Sequence, residues 1–550
     1  MYILRLLHIE SLDVLRDGIL ITCLAGLGNV ALIGLINAAA EQVAFGRPVG
    51  VRMAAMYLIA FGIFYVADRV SLREANRLLQ RRLADLRLRI ADKIRRAELR
   101  PLELLGRGEI YATVAQEANH LSQNFPLLVS AAQSLFLLGF CLLYIATLSQ
   151  ISFLVVFSVT AVGLVVFWFR RRTLRNAMVA VHAQETTMLD SLTHFTQGFQ
   201  EIRLNANKND ALQRRFIEVV DDLEAKVVGI GRVWVVLLLF SNAFLYFLVG
   251  VVIFVLPMFF SGYTDVIYKI VAVAIFCVGP VTAVTSAAPL FDKANVGLEH
   301  VYRLEQQLDQ GTIATTSEPM PNAQFRTFSK IVFDHIAFSY RNSAGQGSFT
   351  VGPWNFALNR GEIVFLIGGN GSGKSTALKL ICGLYQADAG HILIDDVEVT
   401  SDGRQAYREL FSCIFADFHL SNHLYGIETI DALKVQSLIE RMELVDKVSY
   451  ADGQFSTQAL STGQRKRLAM IVSLLEDRDI YLFDEWAADQ DAHFRELFYT
   501  SLLPEMKRLG KTVVAVTHDD RYWHLSDRRI TLDLGDMIAI PADHASPVRV

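Results

Sequence analysis

Residues 363–375 read Ile363-Val364-Phe365-Leu366-Ile367-Gly368-Gly369-Asn370-Gly371-Ser372-Gly373-Lys374-Ser375. An unbroken apolar run of this kind is the pattern of a parallel strand buried on both faces. It ends in a loop of the form G-x-x-x-x-G-K-[ST]. In such a loop Gly368, Gly371 and Gly373 let consecutive backbone N–H groups turn inward as an anion nest, and a helix opening near Thr376 adds its positive end. Lys374 is expected to reach the β- and γ-phosphates of a nucleotide, and Ser375 to ligate Mg²⁺. A chance glycine loop has no reason to follow a strand and precede a helix. The stretch therefore predicts an α/β P-loop nucleotide-binding domain.

Downstream, Ile480-Tyr481-Leu482-Phe483-Asp484-Glu485 is a second buried strand, ending in two acids. Asp484 is expected to hold Mg²⁺, directly or through water. Glu485 is expected to orient and activate the attacking water as general base. One carboxylate on the metal and one on the water is what phosphate hydrolysis needs. An isolated strand-end acid pair is commonplace; following the phosphate loop, it points to a catalytic pair.

Upstream, the chain changes character. Gly311-Thr312-Ile313-Ala314-Thr315-Thr316-Ser317-Glu318-Pro319 has the composition of a linker. Before it lie long charge-free runs, the longest being 52 residues, 118–169. A helix needs about 20 apolar residues to cross roughly 30 Å of hydrocarbon. The runs predict six spans, near 18–38, 50–68, 127–147, 151–169, 233–257 and 266–290, with a tight turn at Thr147–Ser149–Gln150. The segment 69–126 carries twelve Lys/Arg and 170–232 carries ten, whereas 39–49, 148–150 and 258–265 carry only Arg47 between them. The positive-inside rule puts both long loops and both termini in the cytoplasm. The predicted organisation is a membrane domain at 1–310, a linker at 311–328 and a nucleotide-binding domain at 329–550.

The averages agree with this division. The 550 residues are 52% hydrophobic and 20% charged, too apolar for a disordered chain. The net charge of −4 offers no basic excess for nucleic acid. It divides into +4 over 1–328 (30 Lys/Arg, 26 Asp/Glu) and −8 over 329–550 (22 and 30). Five cysteines, in apolar or cytosolic-type surroundings, read as free thiols.

Leu460-Ser461-Thr462-Gly463-Gln464 precedes the acid pair, and the strand Thr512–Val516 ends at Thr517-His518. With these motifs in this order the whole chain resembles the ATP-binding-cassette family, as an exporter-type half-transporter. The resemblance implies six transmembrane helices fused to a cassette, ATP and Mg²⁺ as cofactors, and residence in a bacterial inner membrane among lipid. It implies that Tyr340 stacks on adenine, that Ser461, Gly463 and Gln464 form the signature acting on the other cassette's γ-phosphate, and that His518 senses that phosphate. It places the dimer-contact acid at Asp491. Because the signature acts in trans, it also implies a second copy of the chain as partner, with nucleic acid excluded. The family's transverse helices that dock in the cassette are expected at Gly108–Ala118 and Gly198–Asn207.

One position departs from the family. The glutamine that touches Mg²⁺ should fall near Phe415-Ala416-Asp417-Phe418-His419-Leu420, where none occurs and either Ala416 or Asp417 takes its place. Asp417 is a candidate replacement, since carboxylate oxygen suits Mg²⁺. Asp484-Glu485-Trp486-Ala487-Ala488-Asp489-Gln490-Asp491 and Thr517-His518-Asp519-Asp520-Arg521-Tyr522, with Phe365-Leu366-Ile367-Gly368-Gly369-Asn370, look like the bacterial cyclic-peptide exporter subgroup of siderophore-precursor, syringomycin and microcin type. The expected cargo is therefore a cyclic or non-ribosomal peptide. The rivals are another amphipathic cargo, such as a drug or lipid, and an ATP-gated regulator without net transport. Among intramembrane polar groups Asn29, Asn37, Gln133, Asn242 and Lys269 are singled out, with Lys269 close enough to Asp265 to snorkel outward.

Overall fold

The computed structural model describes residues 2–8, 12–44, 46–105, 110–111, 113–114, 118–255, 267–310, 325, 328–341, 347–427, 430–457 and 459–541. These form two compact units. The first comprises 1–95 and 102–310, and the second comprises Arg96–Pro101 with 311–550.

The first unit is helical. Its elements are α1 (Tyr2–His8), α2 (Leu12–Ala44), α3 (Val51–Arg96), α4 (Leu99–Leu105), α5 (Ala118–Leu148), α6 (Gln150–Gln197), α7 (Phe199–Arg203), α8 (Ala206–Gly250), α9 (Ile267–Phe276) and α10 (Val278–Gln310). Three described helical stretches are long and apolar enough to cross a membrane: Val51–Arg96, Asn119–Leu148 and Lys269–Asp309. Gln150–Gly163 and Tyr246–Val255 are shorter apolar stretches. The expected tight turn is present. Ser149 separates α5 from α6 and accepts a bond from the Ser152 amide at 3.3 Å, as an N-cap.

The polar half of α3 is held by a stripe and a charge ladder. Leu79, Leu83, Leu86 and Ile90 recur at helical spacing and are all buried. Beyond them Arg89 and Lys93 reach Glu305 of α10 at 2.6 and 3.0 Å, and Lys93 also meets Asp309 at 2.7 Å. Lys269 pairs with Glu41 of α2 at 2.7 Å, so its charge is balanced within the helical bundle. Asp265 and the side chain of Asn242 lie outside the described residues.

The second unit is α/β. A six-stranded sheet runs β12 (Asp536–Pro541), β11 (Arg528–Asp533), β3 (Ile363–Gly368), β10 (Thr512–Val516), β9 (Ile480–Asp484), β6 (Phe411–Ile414). It is parallel except for β12. An antiparallel sheet, β2 (Gly347–Asn359), β1 (Lys330–Arg341), β4 (Ala389–Ile394), β5 (Val397–Glu398), packs beside it. The apolar run of β3 is buried on both faces. Ile363, Phe365 and Ile367 point into one core with Tyr481, Phe483, Val513 and Ala515. Val364 and Leu366 point into the other with Ile480, Leu482, Val514 and Val516. A fully buried side chain such as Phe365 contributes about 1.5–3 kcal/mol by leaving water, which is why no polar residue interrupts the strand.

Candidate functional site

The parallel strands β3, β10, β9 and β6 are adjacent and end at one edge. Val516 of β10 registers with both Leu366 of β3 and Asp484 of β9, and Ile414 of β6 with Phe483. The segments leaving these strand ends carry the phosphate loop, His518, Glu485 and Ala416. A crevice outside the carboxyl ends of parallel strands is where open α/β sheets bind ligands.

The phosphate loop is shaped by backbone that only glycine adopts readily. Gly373 has φ +100°, and a Cβ there would come within 2.9 Å of Val351. Gly368 passes so close to β11 that a Cβ would sit 2.3 Å from the Leu532 carbonyl. Gly371 has φ +78°. Lys374 is buried; its Nζ donates to the carbonyls of Gly368 and Gly369 at 3.1 and 2.9 Å, spanning the loop. Ser372 Oγ is buried with no protein partner among the described residues. Asp484 is 3% exposed, and its carboxylate accepts from the Ser375 hydroxyl and the Ala416 amide. The cradle, the orphaned hydroxyl and the Ser375–Asp484 pair fit a nucleotide phosphate with Mg²⁺.

Burial pushes the Asp484 carboxyl above the usual carboxylate range, and neighbouring Glu485 adds to the rise; the Ser375 and Ala416 bonds and Lys466 pull the other way. Removing a carboxylate from water penalises its charged form, and a divalent cation would reverse that penalty.

Glu485 has φ +50° and ψ +38°, a left-handed backbone that costs a non-glycine residue of order 1 kcal/mol. Its Oε1 lies 3.1 Å from His518 Nε2. Its carbonyl accepts a bond from Lys466 Nζ at 2.6 Å. Lys466 also pairs with Asp489 at 2.7 Å, and Trp486 donates to the Lys466 carbonyl at 2.9 Å. A cleft of about 310 Å³ opens beside Glu485 and His518 between Tyr499, Thr517, Arg495 and Arg521.

The remaining candidates divide. Tyr340 Oη bonds Thr376 Oγ1 at 3.1 Å, at the first turn of α11 (Lys374–Ile381), so the expected adenine-side ring adjoins the phosphate helix. Ser461 and Gln464 form a reciprocal capping box opening α14 (Thr462–Glu476; α12 and α13 are Arg404–Arg408 and Ala432–Arg441). Among the described residues no hydrogen bond ties this signature to the phosphate loop of the same chain. Gly463 instead accepts from Gln490 at 3.0 Å. Asp491 caps the following helix through the Phe494 amide at 2.9 Å. Asp417 is exposed in the turn after β6, one residue beyond the amide that reaches Asp484.

Sequence reasoning missed Lys466 and Trp486 as supports of Glu485. The structure shows what the sequence did not: Lys466, Met470 and Ser473 share the buried face of α14, and a lysine on such a face must have a partner. Arg96–Pro101 groups with the cassette; of the first expected docking segment, 108–118, residues 108, 109, 112 and 115–117 lie outside the described residues. Glu98 meets Arg408 at 2.5 Å, and Arg100 donates to the Ser339 carbonyl at 2.9 Å. The second expected segment holds the short helix α7, between Gly198 and the Asn205 cap of α8.

Residues 351–488 match the profile of the ABC transporter family. The chain is 30% identical over 540 residues to ATP-binding protein SyrD of Pseudomonas syringae pv. syringae, covering 94% of this chain and 92% of that protein. It is 30% identical over 214 residues to a macrolide export ATP-binding/permease protein, MacB, of Vibrio parahaemolyticus, covering 36% and 32%. Among solved structures, a bacterial Atm1-family ABC exporter with ATP bound superposes with a TM-score of 0.76 over 96% of this chain and 94% of that one, at 16% identity.

Proposed function

The chain belongs to the ABC transporter family, as a transmembrane domain joined to an ATPase domain, and on that premise we propose that it exports a cyclic or non-ribosomal peptide across a bacterial inner membrane. The observation that supports export is that one chain carries both parts, with a fold covering 94% of an exporter. The peptide cargo rests on the sequence around Trp486 and Asp519, and on full-length similarity to SyrD.

In this reading six spans cross the membrane, and two copies close composite ATP sites as an isologous dimer. ATP supplies the cleavable γ-phosphate bond, and Mg²⁺ screens its charge. The amides of Gly368–Ser375 and Lys374 hold the phosphates of one site, and Ser461 and Gly463 of the second copy complete it. Ser375 and Asp484 are the residues that would hold the metal. Glu485 takes the proton of the attacking water, and His518, bonded to Glu485, orients that carboxylate. The closed and open dimers alternate as phosphate contacts form and break. Arg96–Pro101 and the helix Phe199–Arg203 carry the change to the spans.

The test is ATP-dependent uptake into inverted vesicles with cyclic peptides, lipids and drugs offered in parallel. Peptide-selective uptake that stimulates ATPase supports the reading. Uptake without peptide preference favours a broader amphipathic cargo, which the likeness to a macrolide exporter makes the second reading. ATPase without uptake of any compound overturns export.

A further inference from the structure

A cavity of about 460 Å³ lies within the helical unit, lined by residues of α2, α3, α5, α9 and α10. Its size is that of a small-molecule site. Its walls divide by chemistry. Phe64 and Phe276 supply aromatic surface, while Asn29, Ser130 and Gln133 supply amide and hydroxyl groups. Among the described lining residues the one charged group is Asp68.

Among the described residues two of these polar groups lack protein partners. Gln133 Nε2 is buried with no hydrogen bond to any of them. Asp68 has no hydrogen bond or ion pair among the described residues, although Arg69 follows it and Arg73 lies just over one turn on. Other charges described in this unit are paired: Lys269 with Glu41, and Glu305 with Arg89 and Lys93. A carboxylate left uncompensated at the edge of an apolar span is costly and marks a functional group.

Position adds to this. Asp68 lies seventeen residues after Val51, the first residue of α3, about 25 Å along the helix axis at 1.5 Å per residue. It stands where the apolar stretch gives way to the Arg-rich extension. The cavity is thus placed at the cytoplasmic edge of the spans, where cargo would enter.

We infer that this cavity is a cargo site for an amphipathic cation: Asp68 takes an ammonium or guanidinium group, Gln133 with Asn29 takes amide oxygens, and the aromatic walls take an apolar portion. The inference deepens the peptide-export reading and rests on it for the identity of the cargo, narrowing that cargo to peptides with a free basic side chain.

The probe pair is dansylcadaverine, a fluorescent apolar primary amine, and its N-acetyl form, which lacks the charge. Each is titrated by fluorescence onto the purified full-length protein in nanodiscs, against empty nanodiscs and without ATP. The wild type is expected to bind the amine at least tenfold more tightly than the acetyl form. Asp68→Asn should bring the ratio near one, Asp68→Glu should keep most of it, and Gln133→Leu should weaken both probes without changing the ratio. Equal binding of the two probes by the wild type, or an unchanged ratio in Asp68→Asn, overturns the inference. Should Asp68→Asn fail to fold, the Asp68→Glu ratio and the wild-type ratio still decide it. Absence of peptide uptake in inverted vesicles counts against the export reading alone, because the probe ratio is measured without transport.

Discussion

Glu485 Oε1 and His518 Nε2 are 3.1 Å apart, joined across the ends of neighbouring parallel strands. In the proposed mechanism the pairing gives each residue a distinct role: the imidazole would hold the carboxylate, and the carboxylate would accept the proton of water. Glu485→Gln keeps a side chain able to meet His518 but cannot take that proton. ATPase should fall about 10²–10⁴-fold, the range of a general base, with ATP still bound. ATP-locked dimers should accumulate, as read by light scattering with labelled nucleotide. ATPase near the wild-type rate would rule out the assignment.

The left-handed backbone at Glu485 is sustained by a lysine from the signature helix. Lys466 Nζ bonds the Glu485 carbonyl, pairs with Asp489, and its own carbonyl takes the Trp486 indole. Loss of the ammonium removes a charge-assisted bond, worth about 1.5–3 kcal/mol, and leaves the Glu485 carbonyl only the Ala488 amide at 3.2 Å. Lys466→Met should therefore lower stability by that order and displace Glu485, reducing kcat about tenfold for a misplacement near 1 Å or less. KM for ATP should stay within about twofold, because the phosphate loop is not part of this clamp. A purely structural lysine would change stability but leave kcat alone, and Lys466→Arg should restore part of the rate.

Asp484, the proposed metal carboxylate, costs the fold stability when it is ionised. Its carboxyl pKa is raised in the fold, chiefly by burial. Below the unfolded-state value both states are protonated and the side chain costs nothing. As pH rises through the folded value the folded state must ionise a buried acid, and stability is lost. Asp484→Asn removes that cost. Its Tm without nucleotide should rise above the wild type near pH 7, by roughly 2–4 °C for each kcal/mol recovered in a domain of this size, and the gap should close as pH falls below the carboxylate range. ATPase should be abolished. A variant less stable than the wild type at neutral pH would show that the Ser375 and Ala416 bonds outweigh burial.

Asp417 is the exposed neighbour in sequence of Ala416, whose amide bonds the proposed metal carboxylate Asp484. The family's glutamine position is filled by residues of which Ala416 reaches Asp484 only through its amide. If Asp417 serves as the side-chain oxygen near Mg²⁺, Asp417→Ala should raise the Mg²⁺ concentration for half-maximal ATPase about 10-fold or more, as loss of an outer metal partner does. An unchanged Mg²⁺ dependence would leave this turn without a side-chain metal contact.

The cassette is legible in the sequence because its chemistry is local. Strand, loop and helix are contiguous around Lys374, and the strands ending at Asp484 and His518 are continuous apolar runs that only a two-faced parallel sheet can bury. What escapes the sequence is what depends on distant partners. Lys466 stands within the basic run Arg465-Lys466-Arg467, whose composition is that of a solvated face, and only the packing of α14 turns it toward Glu485. Lys269 has Asp265 four residues away in sequence but meets Glu41 on another helix. Glu98 and Arg100 fall in a charge-rich stretch whose helical periodicity cannot say which turn packs on the cassette.

Arg100 binds the cassette through its whole guanidinium. The group donates to the Ser339 carbonyl at 2.9 Å, lies 3.4 Å from Asp388, and sits 4.8 Å over the Phe338 ring. Asp388 in turn accepts the Ser339 amide at 2.8 Å, and Phe338 packs edge-on against Tyr340, with ring centroids 5.2 Å apart. Both sides of the Arg100–Asp388 pair are about a third exposed, at 32% and 34%, so the ion pair alone is worth only about 0.2–1 kcal/mol. The stacked guanidinium and its carbonyl bond carry the rest, and a lysine reproduces neither geometry. Arg100→Ala should leave basal ATPase within about twofold but lower its stimulation by transported peptide by roughly 3–10-fold, equivalent to about 0.7–1.4 kcal/mol of coupling. Arg100→Lys should behave like the alanine variant. Full stimulation in either variant would place the link between spans and cassette elsewhere, with Glu98 and Arg408 the next pair to break.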